Sequence, residues 1–503
     1  MEPHLLLISL DFNPLSQYKG RELGLFAPVQ DQQGVFYPDY IRETSYNVLD
    51  LEAYIADKKP LLNEDQKFAY ETIMDQVDKQ EGGIIFLDAA GGTGKTFLIN
   101  LVLAEIRVHG EIVLAVASSG IAATLMEGGR TAHSALKLPL NISRQENPTC
   151  HINKTSGQAQ VLIECKLIVW DECTMAHKKS LEALNATLQD LRGNCSLMGG
   201  ALVLLCGDFR QTLPVIPKST PADEIYACLK HSVLWNNVQE ISLKQNMRIL
   251  LRDGNAQNFA NKLLEIGEDR LVIEASGMIK LSSDLCVSVK TVRDMIQAVY
   301  PNVNQNYKNL EWLRERAILA PKNDDVNEIN KEILAMLPGD VIEYKSVDTV
   351  VDADEAVNYP TEFLNSLDPA GLPQHRLILK VGSPIILLRN LDPPKLCNGT
   401  RLCVTKLMKN IIQAVILTGK GKGEIIFIPL IPTDLPFNFK RLQFSVRLAF
   451  SITINKSQGQ SLKFCGVDLR SPCFSHGQLY VACFRVVSPK NLYILSPGYE
   501  TKM

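Results

Sequence analysis

The residues with the plainest chemistry are Ala89-Ala90-Gly91-Gly92-Thr93-Gly94-Lys95-Thr96. Gly91, Gly92 and Gly94 let a backbone curl until successive N–H groups point inward, an arrangement that cradles phosphate oxygens. A helix opening at the end of such a loop adds the positive end of its dipole. In this pattern Thr93 completes the curl, Lys95 bridges the β- and γ-phosphates of a nucleotide, and the Thr96 hydroxyl holds Mg2+. Ala89 stands where the strict pattern has glycine, and alanine serves there at negative φ.

Two further polar groups fit the same chemistry. Asp171-Glu172 follows the apolar run Leu167-Ile168-Val169-Trp170. Asp171 is suited to hold Mg2+ through water, and Glu172 to orient a water attacking the terminal phosphate. Gly207-Asp208-Phe209-Arg210-Gln211 follows the run Leu202–Cys206, and Gln211 is placed to sense the γ-phosphate. Phosphoryl transfer also gains from guanidinium groups arriving from a second domain. Arg248 and Arg485 are the candidates; by spacing alone each reads as an ordinary surface arginine, and only a family resemblance lifts them above that.

These groups need elements to position them. Ile84–Leu87, Ile112–Ala117, Leu167–Trp170 and Leu202–Cys206 are short continuous apolar runs separated by helix-length segments. That is the signature of buried parallel strands in an α/β fold. Each run releases its small or charged residues at its C-terminal end, where a parallel sheet binds ligands. After the phosphate loop, Leu98, Val102 and Ile106 recur at helical spacing. A second α/β domain is expected around Ala317–Ala320 and Ala449–Ile454. Residues 376–446 break into short strand-like pieces punctuated by Gly and Pro, a small β insert in that second domain. The expected division is 1–60, a segment with no element that can be placed; 61–240, the phosphate-loop domain; 241–375 and 447–503, the two parts of the second domain; and 376–446, the insert.

Composition sets outer limits. At roughly 150 residues per domain, 503 residues suggest about three domains. Hydrophobic residues at 46% and charged residues at 21% exclude a mainly disordered chain. A net charge of -3 excludes a globally basic binder but not a local basic groove. The 12 cysteines form no C-x-x-C pair, so no zinc is expected, and their apolar settings suggest buried free thiols in a reducing compartment. No apolar run is long enough to span a membrane, and the N-terminus lacks the basic flank of a signal peptide. The expectation is an intracellular, nuclear protein, with no Lys/Arg-rich tag to select the compartment.

Taken in order, the motifs resemble those of superfamily-one DNA helicases of the petite-integration-frequency type, and most of all the helicase portion of Helitron transposons. The resemblance runs from about Leu62 to Pro497. It is carried by Leu62–Gln66, Ala89–Thr96, Ser118–Ala123, Gly129–Ser134, Asp171-Glu172, Gly207–Pro214, Asn246–Arg248, the segment Ala449–Leu462 with Lys456-Ser457-Gln458-Gly459-Gln460, and His476–Ala482 followed by Arg485. It implies two RecA-like P-loop NTPase domains around an ATP cleft, with an SH3-like β insert in the second. It implies ATP and Mg2+, 5′-to-3′ translocation on single-stranded DNA, and unwinding of forked DNA by a monomer, in repair, recombination, telomere maintenance or transposition. Gln66 is then the adenine reader, Arg485 an arginine finger, and Ser119, His133 and Lys456 part of the DNA track.

Three positions depart from the family pattern: Ala89, Asn455 where His is common, and Phe484 where a small Ser is usual. A bulky ring at 484 is expected to displace the adjoining Arg485. The 8 histidines include no H-x-H triplet, so the strand-nicking nuclease of full Helitron proteins is not expected, and the chain is expected to be a truncated gene product. Two rival readings stay open. One is a transposon-derived relic that binds nucleotide or DNA without turnover; the other is a P-loop protein remodeller that ignores DNA.

Overall fold

A computed structural model describes residues 37–139, 141–216, 220–247, 255–271, 278–350, 359–368, 371–392, 395–419, 421–435 and 439–501. The first unit is built on six strands: β1 (Gly83–Ala89), β2 (Val113–Ala117), β3 (Arg130–Thr131), β4 (Leu167–Asp171), β5 (Leu202–Gly207) and β6 (Val238–Leu243). They are all parallel, in the order β3-β2-β4-β5-β1-β6. β2, β4 and β5 are buried along their whole length, because helices cover both faces; the one charged side chain among them, Asp171, stands at the carboxyl end of β4. Successive residues of β1 feed opposite cores: Ile85 and Leu87 one, Ile84 and Phe86 the other.

The helices are placed by their caps. Residues 1–60 were expected to hold no element that could be placed, yet α1 (Pro38–Thr44) and α2 (Val48–Lys58) lie there. The signal is missing locally because α2 buries no residue completely. The segment is anchored by residues distant in sequence: Glu43 pairs with Arg130 at 2.8 Å, and the Arg107 guanidinium lies 4.1 Å from the centre of the Tyr46 ring. α3 (Glu64–Lys79) opens with a reciprocal capping box between Asn63 and Gln66. α4 (Lys95–Val108) begins at Gly94, whose φ of 84° only glycine adopts freely. Leu98, Val102 and Ile106 are all buried on it. α5 (Gly120–Leu125) follows β2 and is capped by Ser119.

The second unit has its own parallel sheet, in the order Ser451–Thr453, Arg316–Ala320, Phe464–Asp468, Leu492–Leu495, Val287–Val289. A β module leaves this unit and returns to it. Its main sheet is antiparallel, in the order Ile425–Pro429, Ile411–Ile416, Arg401–Leu407, Pro384–Leu387, Val446–Leu448. Strand Ile342–Lys345 pairs with Arg376–Leu379, and Val347–Val350 with Phe439–Gln443, so the module draws on chain upstream of residue 376. The completely buried Arg441 fastens that upstream strand, binding Asp348 at 2.7 and 2.9 Å. Arg401, also completely buried, donates to the carbonyls of Leu313, Arg314 and Arg316 and so fixes the module to the second parallel sheet. Likewise β6 runs past residue 240 to Leu243, in register with β1.

Candidate active site

The carboxyl ends of β1, β4 and β5 meet at one edge of the first sheet, and the second unit closes over it. The cleft between them holds a cavity of ≈ 360 Å³ lined by the loop Ala89–Thr96 except Thr93, by Asp171, Glu172 and Gln211, and from the second unit by Gly459, Gln460, Phe484 and Arg485. Gly92 and Gly94 take positive φ, 83° and 84°, as the curled loop requires. Gly91 does not, so its lack of a side chain has a different cause: a Cβ there would lie 2.8 Å from Cδ1 of Phe484 and closer still to Cε1. Thr93 is buried beneath the loop, its hydroxyl donating to the Ala90 carbonyl at 2.8 Å.

Lys95 lies at the centre of the charge network. Its Nζ is 2.6 Å from Asp171 Oδ1 and 3.0 Å from Glu172 Oε1. Burial alone would depress the ammonium, but the two carboxylates outweigh it and hold the lysine well above its usual range. Asp171 is pushed up by burial, with Lys95 opposing and Glu172 adding to the rise. Glu172 sits in a left-handed turn, φ 50°, and its buried Oε2 has no hydrogen-bond partner. An unpartnered acceptor beside a buried lysine, with the Thr96 side of the loop opposite, suits the residues to a hydrated Mg2+ and a triphosphate.

Gln66, expected to read a base, is placed beneath the loop. Its Oε1 accepts the Asn63 N–H at 3.1 Å and closes the cap of its own helix, while its Nε2 donates to the Thr93 carbonyl at 2.9 Å, so the amide ties α3 to the phosphate loop. Gln211 is buried at the domain boundary, where its Oε1 accepts from Gln458 Nε2 of the second unit at 3.4 Å. Arg248 lies outside the described residues. Its neighbour Met247 lines the cleft and donates its backbone N–H to the Gly92 carbonyl at 2.9 Å. Arg485 reaches the cleft despite the ring beside it. Its guanidinium donates to the carbonyls of Val481, Ser457 and Gln460 at 2.8, 3.1 and 3.0 Å. The ring at 484 is accommodated because it turns onto Gly91 rather than into the arginine's path.

Some groups in this boundary lie in the quoted motifs but were given no role by the sequence. Asp208, fully buried, accepts from Arg210 at 2.5 Å, from Gln211 at 3.4 Å and from the Tyr480 hydroxyl of the second unit at 3.1 Å. Gly477, φ 71°, brings the second unit's backbone so close that a Cβ would meet the Arg210 carbonyl at 2.5 Å. A strand-end Asp after glycine hints at Asp208, but its partner Tyr480 is known only from the fold.

The three residues expected on a DNA track lie apart from the cavity. The Ser119 hydroxyl accepts the Ala122 N–H at 3.2 Å as the cap of α5. Lys456 is half-buried; burial, with Arg447 nearby, pushes it down to about 8. α5 touches the loop after Lys456, since Ile121 lies against Gly459, so these two segments share the inter-domain boundary. His133 is exposed on the short helix Ala132–Leu136, one strand further out.

Residues 61–276 match the model of the PIF1-like helicase family, and residues 362–407 match that of the DNA helicase Pif1 2B domain. The chain is 25% identical over 419 residues to the ATP-dependent DNA helicase PIF1 of Danio rerio, covering 82% of this chain and 58% of that protein. It is 25% identical over 452 residues to the Homo sapiens protein of that name, covering 87% and 61%. To the Campylobacter jejuni ATP-dependent DNA helicase Pif1 it is 27% identical over 439 residues, covering 82% and 88%. The chain thus spans about six tenths of the length of the two vertebrate relatives. Among solved structures it is similar to the Pif1 helicase from Candida albicans, with a TM-score of 0.62, 23% identity and coverage of 87% of this chain and 95% of that one. It is also similar to Bacteroides Pif1 bound to ssDNA, with a TM-score of 0.61, 21% identity and coverage of 87% and 95%. These likenesses agree with two RecA-like domains facing each other across the cleft. The phosphate-loop unit is thus similar to the PIF1-like helicase family, and part of the β module to the 2B domain of the DNA helicase Pif1.

Proposed function

We propose that the chain is an ATP-dependent DNA helicase that moves 5′-to-3′ along single-stranded DNA and unwinds duplex at forks. The observation that carries this reading is Lys95, buried between Asp171 and Glu172 in a cleft whose opposite wall brings Arg485 from the second domain. Relatives named as ATP-dependent DNA helicases support it, as does a relative solved with ssDNA.

The chemistry follows from these residues. A triphosphate entering the loop takes Lys95 away from the carboxylates, which frees Glu172 to orient the attacking water. Mg2+, when bound by Thr96 and Asp171, neutralises phosphate charge. Arg485 is tied to carbonyls of its own domain, so it moves with that domain and meets the terminal phosphate only when the cleft is closed. Gln211, touching Gln458, transmits loss of that phosphate to the second domain. Ser119, Lys456 and His133 contact the DNA backbone, with affinity chiefly electrostatic. Within the family we place the chain nearest the helicase portion of Helitron transposons, on the segments Lys456–Gln460 and His476–Ala482. It acts as a monomer in the nucleus, in repair, recombination, telomere maintenance or transposition.

The test is ATP hydrolysis with and without single-stranded DNA, followed by unwinding of duplexes carrying a 5′ or a 3′ tail. DNA-stimulated turnover that disappears in Lys95→Ala, with unwinding only of the 5′-tailed duplex, is expected. Nucleotide binding without turnover would replace the reading with the inactive relic, and turnover indifferent to DNA with the remodeller.

A further inference from the structure

Phe484 is a residue for which the ATPase reading above has no task. It is the last side chain before Arg485, 6% exposed, and it reaches across the boundary to the phosphate loop of the other domain. Its ring rests on Gly91, the one glycine of that loop without a left-handed φ. The ring fills the space that a methyl group at 91 would need. Behind Phe484 the Tyr480 ring stands 5.2 Å away, and the Tyr480 hydroxyl is fixed to the buried Asp208 of the first domain. The helix Gln478–Cys483 and its following turn therefore clasp the first domain twice, once through a hydrogen bond and once through an apolar contact.

We propose that Phe484 is a positioning residue, a closure latch whose ring seated on Gly91 holds the two domains together without nucleotide. Opening the cleft exposes the ring to water. Burial of an aromatic side chain on this scale favours the closed over the open arrangement by about tenfold or more. The latch has two consequences. Arg485, carried by the same turn, is held at the edge of the phosphate site before ATP arrives. Release of ADP, which needs the cleft to open, is slowed by the same factor. The two consequences rest on the ATPase reading; the latch itself does not.

The experiment measures closure directly. One spin label is placed on each domain at a noncanonical residue, and their separation is recorded in the full chain without nucleotide. The natural chain is expected to give one short, narrow distance. Phe484→Ser is expected to add a longer, broader population, with Phe484→Leu intermediate and thermal unfolding showing both variants folded. Release of fluorescent ADP should then quicken about tenfold in Phe484→Ser. An unchanged distance distribution in folded Phe484→Ser overturns the proposal. If that variant does not fold, Gly91→Ala, which drives a methyl group into the ring, must open the same distance; no change there overturns it equally. Because the distance needs no nucleotide, a chain that shows the latch but binds no ADP refutes the ATPase reading and leaves the latch standing.

Discussion

Removing Lys95 tests more than catalysis. Its ammonium is the positive charge held against Asp171 and Glu172, and the three side chains are 12%, 2% and 9% exposed. Lys95→Ala leaves two neighbouring carboxylates out of water with that charge gone. Breaking such a buried pair costs about 3–5 kcal/mol. For a unit of about 150–250 residues each kcal/mol lowers Tm by about 2–4 °C, so the phosphate-loop domain should melt roughly 6–20 °C lower near neutral pH. The deficit should depend on pH. Burial already raises Asp171, and without Lys95 its carboxyl rises further above the unfolded value. The folded variant then binds more protons than the unfolded chain, so its stability is greatest in acid and falls as pH rises through the raised pKa. Differential scanning calorimetry of the natural chain and the variant, without nucleotide, at about pH 5.5 and about pH 8 measures both quantities. A smaller deficit at the acid pH is the expected result. Equal deficits at the two pH values, or a loss below about 1 kcal/mol, would refute the view that the buried charges decide this site.

Two further outcomes follow from other charges. Burial, with Arg447 nearby, pushes Lys456 down to about 8, so DNA affinity should weaken between about pH 7 and about pH 9 as its positive charge is lost. Lys456→Arg should flatten that dependence, and Lys456→Ala should lower the salt slope of binding by about one, both read by fluorescence anisotropy. Glu43 and Arg130 form a buried pair that ties α1 to β3, so Glu43→Leu should cost about 3–5 kcal/mol in urea unfolding. The double variant Glu43→Leu with Arg130→Met should recover most of it.

The sequence alone determined the chemistry at the strand ends. Continuous apolar runs need burial on both faces, and the polar residues that end them must gather at one sheet edge; Lys95, Asp171 and Glu172 met there for that reason. Other strands of the same sheets were not legible. β6, Val-Gln-Glu-Ile-Ser-Leu, carries exposed polar residues, because an edge strand has one flank open and no longer reads as an apolar run. Ile342–Lys345 was missed because its pairing partner lies beyond a long excursion of chain, and Val347–Val350 for the same reason. Only the tertiary structure decided what Gly91, Gln66, Phe484 and Tyr480 do. A phosphate-loop glycine looks alike in sequence whether it supplies a positive φ or makes room for a ring, and only the packing of the second domain separates the two. The loop's chemistry is a local property of backbone and residue type, whereas closure of the cleft depends on contacts between residues some four hundred positions apart, such as Gly91 and Phe484. Such contacts leave no periodicity or spacing to read.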